Sequence, residues 1–173
     1  MRWVTVQTEQ GPRACGVVGK EYVDVNAADS GYPASVRELL ALGGEAQHHA
    51  WAALLRGKVR YDAASTRLLA PVPDPRKIVC LGLNYRDHAI ESGAEIPSEP
   101  ILFSKYPTSL IGHGASIVLP DESAEVDFEA ELVVVVGQGG RHIARENAMD
   151  HVGGYAVGHD VSARDWQIGR AHV

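Results

Sequence analysis

Cysteine is scarce in this chain of 173 residues: only Cys15 and Cys80 are present. Two cysteines exclude a multi-disulfide scaffold and a four-thiolate zinc site. Positive charge is in deficit as well. Sixteen Lys and Arg against 22 Asp and Glu leave a formal net charge of −6. Phosphate binding needs a concentrated basic surface, so this balance argues against nucleic acid as the main partner. The longest apolar runs, such as Ala50 to Leu55 and Leu132 to Val136, fall far short of a membrane span. The opening Met1-Arg2-Trp3-Val4-Thr5-Val6 reads as a strand. It has neither the apolar core of a signal peptide nor the Arg/Ser-rich amphipathic helix of a transit peptide. A reducing cytoplasm is therefore the expected compartment. Internal repeats and low-complexity tracts are also missing. What is there is 45% apolar and 22% charged, the texture of an ordinary globular protein, which rules out wholesale disorder.

Residues 1–70 read as a small leading domain. Short strands are expected at Val4 to Gln7, Cys15 to Val18 and Tyr22 to Val25, punctuated by Gly11-Pro12 and Gly19. Ser35 followed by Glu38 forms a capping box for a helix beginning at Val36, which Gly43-Gly44 should stop. A second helix is expected from Glu45 to Arg56, with Trp51, Leu54 and Leu55 on its apolar side. The adjacent His48 and His49 point in different directions and read as a solvated face. The segment 71–76, rich in proline, reads as an extended linker. Residues 77–173 are expected to be β-rich with short helices. Strands are predicted at Lys77 to Leu83, Ile101 to Lys105, Ser116 to Leu119, Glu125 to Gly137 and Tyr155 to Asp160. Helices are predicted at Asn84 to Glu91 and Ala144 to His151.

The stretch Glu125-Val126-Asp127-Phe128-Glu129-Ala130-Glu131 alternates acid with apolar residue and then runs into Leu132 and four valines. Read as one strand, it places Glu125, Asp127, Glu129 and Glu131 on one face. The valines would carry it into a core buried on both sides. Glu129 and Glu131 would then stand where the strand enters the interior. Two carboxylates there raise each other's pKa unless something compensates. A hard divalent cation such as Mg²⁺, Mn²⁺ or Ca²⁺ would do so with oxygen ligands. An edge strand with a solvated acidic face accounts for the same pattern, because acidic edges discourage aggregation. Asp160 tips the balance towards metal. It closes the apolar strand from Tyr155, and an acid at the end of a buried strand is well placed as a ligand. His159 would point to the opposite face. Cys80, inside an apolar strand, reads as a buried small thiol. His113 and His142, beside glycines, read as loop residues.

Four ordered motifs resemble the fumarylacetoacetate hydrolase family. They are Lys77 to His88, Glu99-Pro100-Ile101-Leu102-Phe103-Ser104-Lys105, Asp127 to Leu132, and Gly158-His159-Asp160-Val161-Ser162-Ala163-Arg164-Asp165-Trp166-Gln167. The similarity is greatest to acylpyruvases, oxaloacetate decarboxylases and hydroxyhepta-diene-dioate isomerases. It covers about residues 75 to 170. The resemblance implies an α+β fold that is mostly β, a mixed β-roll with short helices behind a small N-terminal domain. It implies Mg²⁺ or Mn²⁺ held by Glu129, Glu131 and Asp160. His88 and Glu91 match a base-positioning pair, Lys105 and Gln167 match positions that contact substrate oxygens, and Arg164 is expected in a structural ion pair.

The substrates so implied are small acids with 1,3-dicarbonyl or 2-oxo groups. A cation that takes two adjacent substrate oxygens would act as a Lewis acid where enolate charge develops. C–C hydrolysis, decarboxylation and keto–enol isomerisation would then share one site. Glu91, at i+3 from His88, could orient it, and His88 could take a proton from water. Lys105 offers a point charge to a substrate carboxylate and Gln167 a hydrogen bond. Family members continue well beyond Gln167, whereas this chain ends at Val173, so the C-terminal part of the roll is expected to be missing. An inactive fragment that binds metal weakly, or serves as an association module, is the alternative reading. A homodimer is carried over by analogy with the family.

Overall fold

The computed structural model describes residues 1–167. The expected end of the family resemblance, at about residue 170, lies outside the described residues. In chain order the strands are β1 (Trp3–Thr8), β2 (Gly11–Val18), β3 (Glu21–Asp24), β4 (Arg60–Asp62), β5 (Ile78–Gly82), β6 (Ile101–Lys105), β7 (Val126–Asp127), β8 (Ala130–Val136), β9 (Val152–His159) and β10 (Ser162–Ala163). The α-helices are α1 (Val25–Ala28), α2 (Val36–Ala41), α3 (Gly44–Leu54) and α4 (Arg86–Glu91). No described helix is long and apolar enough to cross a membrane.

Two compact units divide the chain. The first comprises Met1–Asp74, Ile111–Ser116 and Ala130–His159. Its sheet runs β1-β2-β3-β4, all antiparallel. Gly11 (φ 100°) and Gly19 (φ 61°) sit at the tight turns, a backbone region that disfavours a Cβ. Asp24 ends β3 and caps α1, its Oδ1 accepting from the Ala27 N–H at 2.9 Å. Ser35 caps α2 as the capping box predicts, accepting from the Glu38 N–H. Val23, Val25, Val36, Leu39, Ala50 and Leu54 form the core, with Trp3 and Trp51 stacked edge to face against it at 5.3 Å. Three local expectations change. Val25 opens a helix rather than ending a strand. Gly44 already belongs to α3. Leu55 caps the C-terminus of α3 and is 71% exposed, one position beyond the inward stripe.

The pair β8–β9 also belongs to this first unit, although it lies in sequence within 77–173. Gly137 and Gly153 explain why. A Cβ on Gly137 would lie 2.9 Å from the Leu40 carbonyl, and one on Gly153 3.1 Å from the Leu40 side chain, so the backbones approach α2 closely. Val135 packs on the core. The expectation that the valine run is buried on both sides fails, because Leu132, Val134 and Val136 are exposed. Opposite them in the register, Val157 and Tyr155 are exposed too.

The second unit comprises Pro75–Leu110, Ile117–Glu129 and the chain from Asp160 onward. Strands β5 and β6 pair antiparallel, Ile78 opposite Lys105 and Gly82 opposite Ile101. Between them α4 follows Tyr85 and ends at Ser92, just before Gly93 (φ 65°). Strand β7 pairs with β10, Asp127 opposite Ser162. Here too the sequence reading needs correction. Residues 116–119 are not a strand, and Val118 is among the most exposed apolar side chains. The expected single strand over 125–137 breaks at Phe128-Glu129, because β7 and β8 have different partners. The four acids therefore do not share one strand face. The expected helix at 144–151 is a 3-10 helix over Arg145–His151.

Candidate metal and substrate site

Residues of the second unit supply most of the candidate site. The β7–β10 ladder extends at both ends: the Arg164 N–H donates to Glu125 O at 2.9 Å, and the Asp160 N–H donates to Glu129 O at 3.0 Å. The backbones of Glu129 and Asp160 are thus joined directly. Arg164 leaves this ladder as a hub. Its Nε and Nη2 donate to Asp127 Oδ2 at 3.1 and 3.0 Å, and Nη2 pairs with Glu129 Oε1 at 2.6 Å. Its Nη1 donates to Gln167 Oε1 at 3.3 Å. Burial works against the Arg164 charge, but hydrogen bonds to Asp127 and Glu129 outweigh it and raise the guanidinium pKa. The same bonds, helped by the Phe128 N–H, hold the Asp127 carboxyl below its ordinary range. The expected structural ion pair of Arg164 is therefore present, and Asp127 is a partner that the sequence did not single out.

Lys105 ends β6 and pairs with Asp160 Oδ1. Its ammonium also donates to Val161 O at 3.3 Å. Asp160 Oδ1 is buried, and the Lys105 ammonium is its counter-charge. His88 and Glu91 lie one turn apart on α4, both exposed, and no hydrogen bond or ion pair joins them among the described residues. A cavity of about 400 Å³ lies beside this helix, lined by Leu81, Asn84, Arg86 and Glu99 among others. None of the seven candidate residues lines it.

Glu131 belongs to the first unit, half-buried on β8 opposite Gly158. A Cβ on Gly158 would fall 2.7 Å from Val133 Cγ2 and 3.8 Å from Glu131 Cβ, so the glycine leaves the flank of Glu131 open. The described residues hold no group of three or more His, Cys, Asp or Glu side chains gathered as a metal-binding cluster. Their side chains are engaged elsewhere: Glu129 with Arg164 and Asp160 with Lys105. In donor chemistry the three carboxylates do suit a hard divalent ion. A buried carboxylate oxygen held by a single exchangeable cation is the kind of atom such an ion satisfies.

The chain has relatives among known proteins. Residues 77–172 match the family model described as fumarylacetoacetate (FAA) hydrolase C-terminal, two residues beyond the extent read from the motifs. An oxaloacetate tautomerase of Xenopus laevis, named as mitochondrial, is 46% identical over 150 residues, covering 87% of this chain and 47% of that protein. A Dictyostelium discoideum fumarylacetoacetate hydrolase domain-containing protein 2 homolog is 38% identical, covering 92% and 53%. The chain thus spans about half the length of the curated relatives it matches. Among solved structures, maleylpyruvate hydrolase from Sphingobium sp. SYK-6 in complex with manganese(II) and pyruvate superposes with a TM-score of 0.75. It is 31% identical, and the match covers 95% of this chain and 60% of that one. A 2-hydroxyhepta-2,4-diene-1,7-dioate isomerase from Mycobacterium marinum gives a TM-score of 0.67 at 26% identity, covering 96% and 56%.

Proposed function

This chain belongs to the fumarylacetoacetate hydrolase family, and from that premise we propose that it carries the metal-binding and proton-transfer residues of an enzyme acting on small 2-oxo or 1,3-dicarbonyl acids. The reaction class is C–C hydrolysis, decarboxylation or keto–enol tautomerisation, which share the need to stabilise negative charge on a substrate oxygen. Glu129, Glu131 and Asp160 would hold Mg²⁺ or Mn²⁺. When bound, the ion supplies Lewis-acid stabilisation of that charge.

The chain's own groups do the rest. Lys105 presents a point charge to a substrate carboxylate, and Gln167 a hydrogen bond to a second oxygen. Arg164 fixes both the Glu129 and Gln167 side chains. His88 takes a proton from water or substrate, and Glu91, one turn on, turns towards His88 and stabilises its charged form. The observation that carries this reading is Asp160 Oδ1: buried, with the Lys105 ammonium as its counter-charge.

The test is a thermal melt titrated with Mg²⁺ and Mn²⁺. Binding to the folded state alone raises the melting temperature by mass action. A saturable rise that Glu129→Gln abolishes supports the site; a metal-independent melt removes it. One feature favours a second reading, that of a metal-binding association module without turnover: Leu132, Val134, Tyr155 and Val157 together expose an apolar strand surface. Turnover of oxaloacetate or acylpyruvates in the presence of Mg²⁺ separates the two.

A further inference from the structure

The ion pair between Lys105 and Asp160 has a chemical consequence. Asp160 Oδ1 is offered to the Lys105 ammonium, and the pair is largely shielded, with side-chain exposures of 31% and 13%. The ammonium has one further bond, at 3.3 Å to the Val161 carbonyl. A carboxylate oxygen cannot coordinate a divalent ion and pair with an ammonium along the same direction. The N–H that Lys105 spends on Asp160, conversely, is not free for a substrate carboxylate.

We propose that Lys105 is an exchangeable counter-cation that couples the two binding events. A divalent ion taking Asp160 displaces the ammonium, and the displaced ammonium becomes available to an anionic substrate. The inference rests on the metal site argued above and adds the order of events and its carrier. Two consequences follow from linkage. Lys105 lowers the intrinsic affinity of Asp160 for metal. Metal and anion then bind with positive cooperativity that passes partly through Lys105, beyond any direct contact between them.

The test uses the full chain, Mn²⁺ and oxalate, with dissociation constants from calorimetry. Lys105→Gln is expected to bind Mn²⁺ about fivefold more tightly, the factor for no longer displacing a pair worth about 1 kcal/mol. Lys105→Arg keeps a cation on Asp160 and should stay within about twofold of the unaltered chain. Mn²⁺ should also strengthen oxalate binding by a smaller factor in Lys105→Gln than in the unaltered chain. Lys105→Met provides a second neutral replacement should Lys105→Gln fail to fold. Equal or weaker Mn²⁺ binding in the neutral variants overturns the exchange, as does an unchanged coupling factor. If the unaltered chain shows no Mn²⁺ binding sensitive to Glu129→Gln, the metal site itself is refuted and the exchange with it. Mn²⁺ binding that is sensitive to Glu129 but indifferent to Lys105 removes only the exchange.

Discussion

Asp24→Ala should weaken the first unit by about 4 kcal/mol. Asp24 is 2% exposed and serves three bonds. Arg13 Nε and Nη2 donate to its two oxygens at 2.7 and 3.0 Å, and the Ala27 N–H donates at 2.9 Å. Losing the helix cap costs about 1 kcal/mol. Hydrogen bonds to charged groups contribute about 1.5–3 kcal/mol each. Arg13 is not fully buried, its side chain being 21% exposed, and it keeps Asn26 Oδ1 at 3.1 Å, so the low end applies. The sum settles at about 4 kcal/mol, within what breaking a buried pair costs. Asp24→Asn retains the cap acceptor and should lose about half as much. Urea unfolding read by near-UV dichroism of the Trp3–Trp51 pair reports this unit, with an unchanged m-value showing that only stability moved. A loss under about 1 kcal/mol would mean that the pair behaves as a solvated surface contact, which refutes the burial argument.

Other outcomes can be checked directly. Burial pushes the Cys15 thiol up to about 12, so in a Cys80→Ser background iodoacetamide at pH 8 should label Cys15 only after unfolding. Gly16→Ala would drive a methyl into Leu54 Cδ1 and the Trp51 ring, costing about 1–3 kcal/mol by urea titration. The Ser123 hydroxyl donates to Asp165 Oδ1 at 2.7 Å and the Ala124 N–H to Oδ2 at 3.2 Å, holding that carboxyl below its ordinary range. A lowered folded-state value stabilises above the unfolded pKa and is lost as pH falls through the folded one. The loss therefore falls below about pH 4. Carboxyl-detected NMR should show the Asp165 midpoint rising towards the ordinary value in Ser123→Ala.

Local chemistry was legible wherever a few neighbouring residues decide the outcome. Ser35 and Glu38 define a helix start without help from the rest of the chain, and α2 begins where they say. Asp160 could be singled out because an acid closing an apolar strand needs a reason, and its buried oxygen, paired with the Lys105 ammonium, shows an acid held in a charged site. Strand pairing was not legible. Alternation over 125–137 tells which residues would share a face, but not that the partner changes from β10 to β9 between Asp127 and Ala130. The valine run shows the same limit. Hydrophobicity records that Val133 to Val136 favour burial, not what covers them, and of these Val135 packs on the core. The partners of Arg164 and Lys105 were hidden for a related reason. Ion pairs between residues distant in sequence leave no periodicity to read, so Arg164 was expected to be paired without its partners being known.

The two internal cations of the site are not equivalent, and their difference bears on how a charged centre can be assembled within a small unit. Arg164 is shared among Asp127, Glu129 and Gln167, its planar fork filling three acceptors at once. Moving it would strand all three, so it acts as a fixed brace that sets the Glu129 and Gln167 side chains. Lys105 has one ion pair and one long bond to a carbonyl, on a stem with four rotatable carbons. Releasing it strands a single carboxylate, which a divalent ion would satisfy in its place. An arginine that braces several acceptors and a lysine that balances one answer the same requirement: carboxylates drawn together in one unit need compensation.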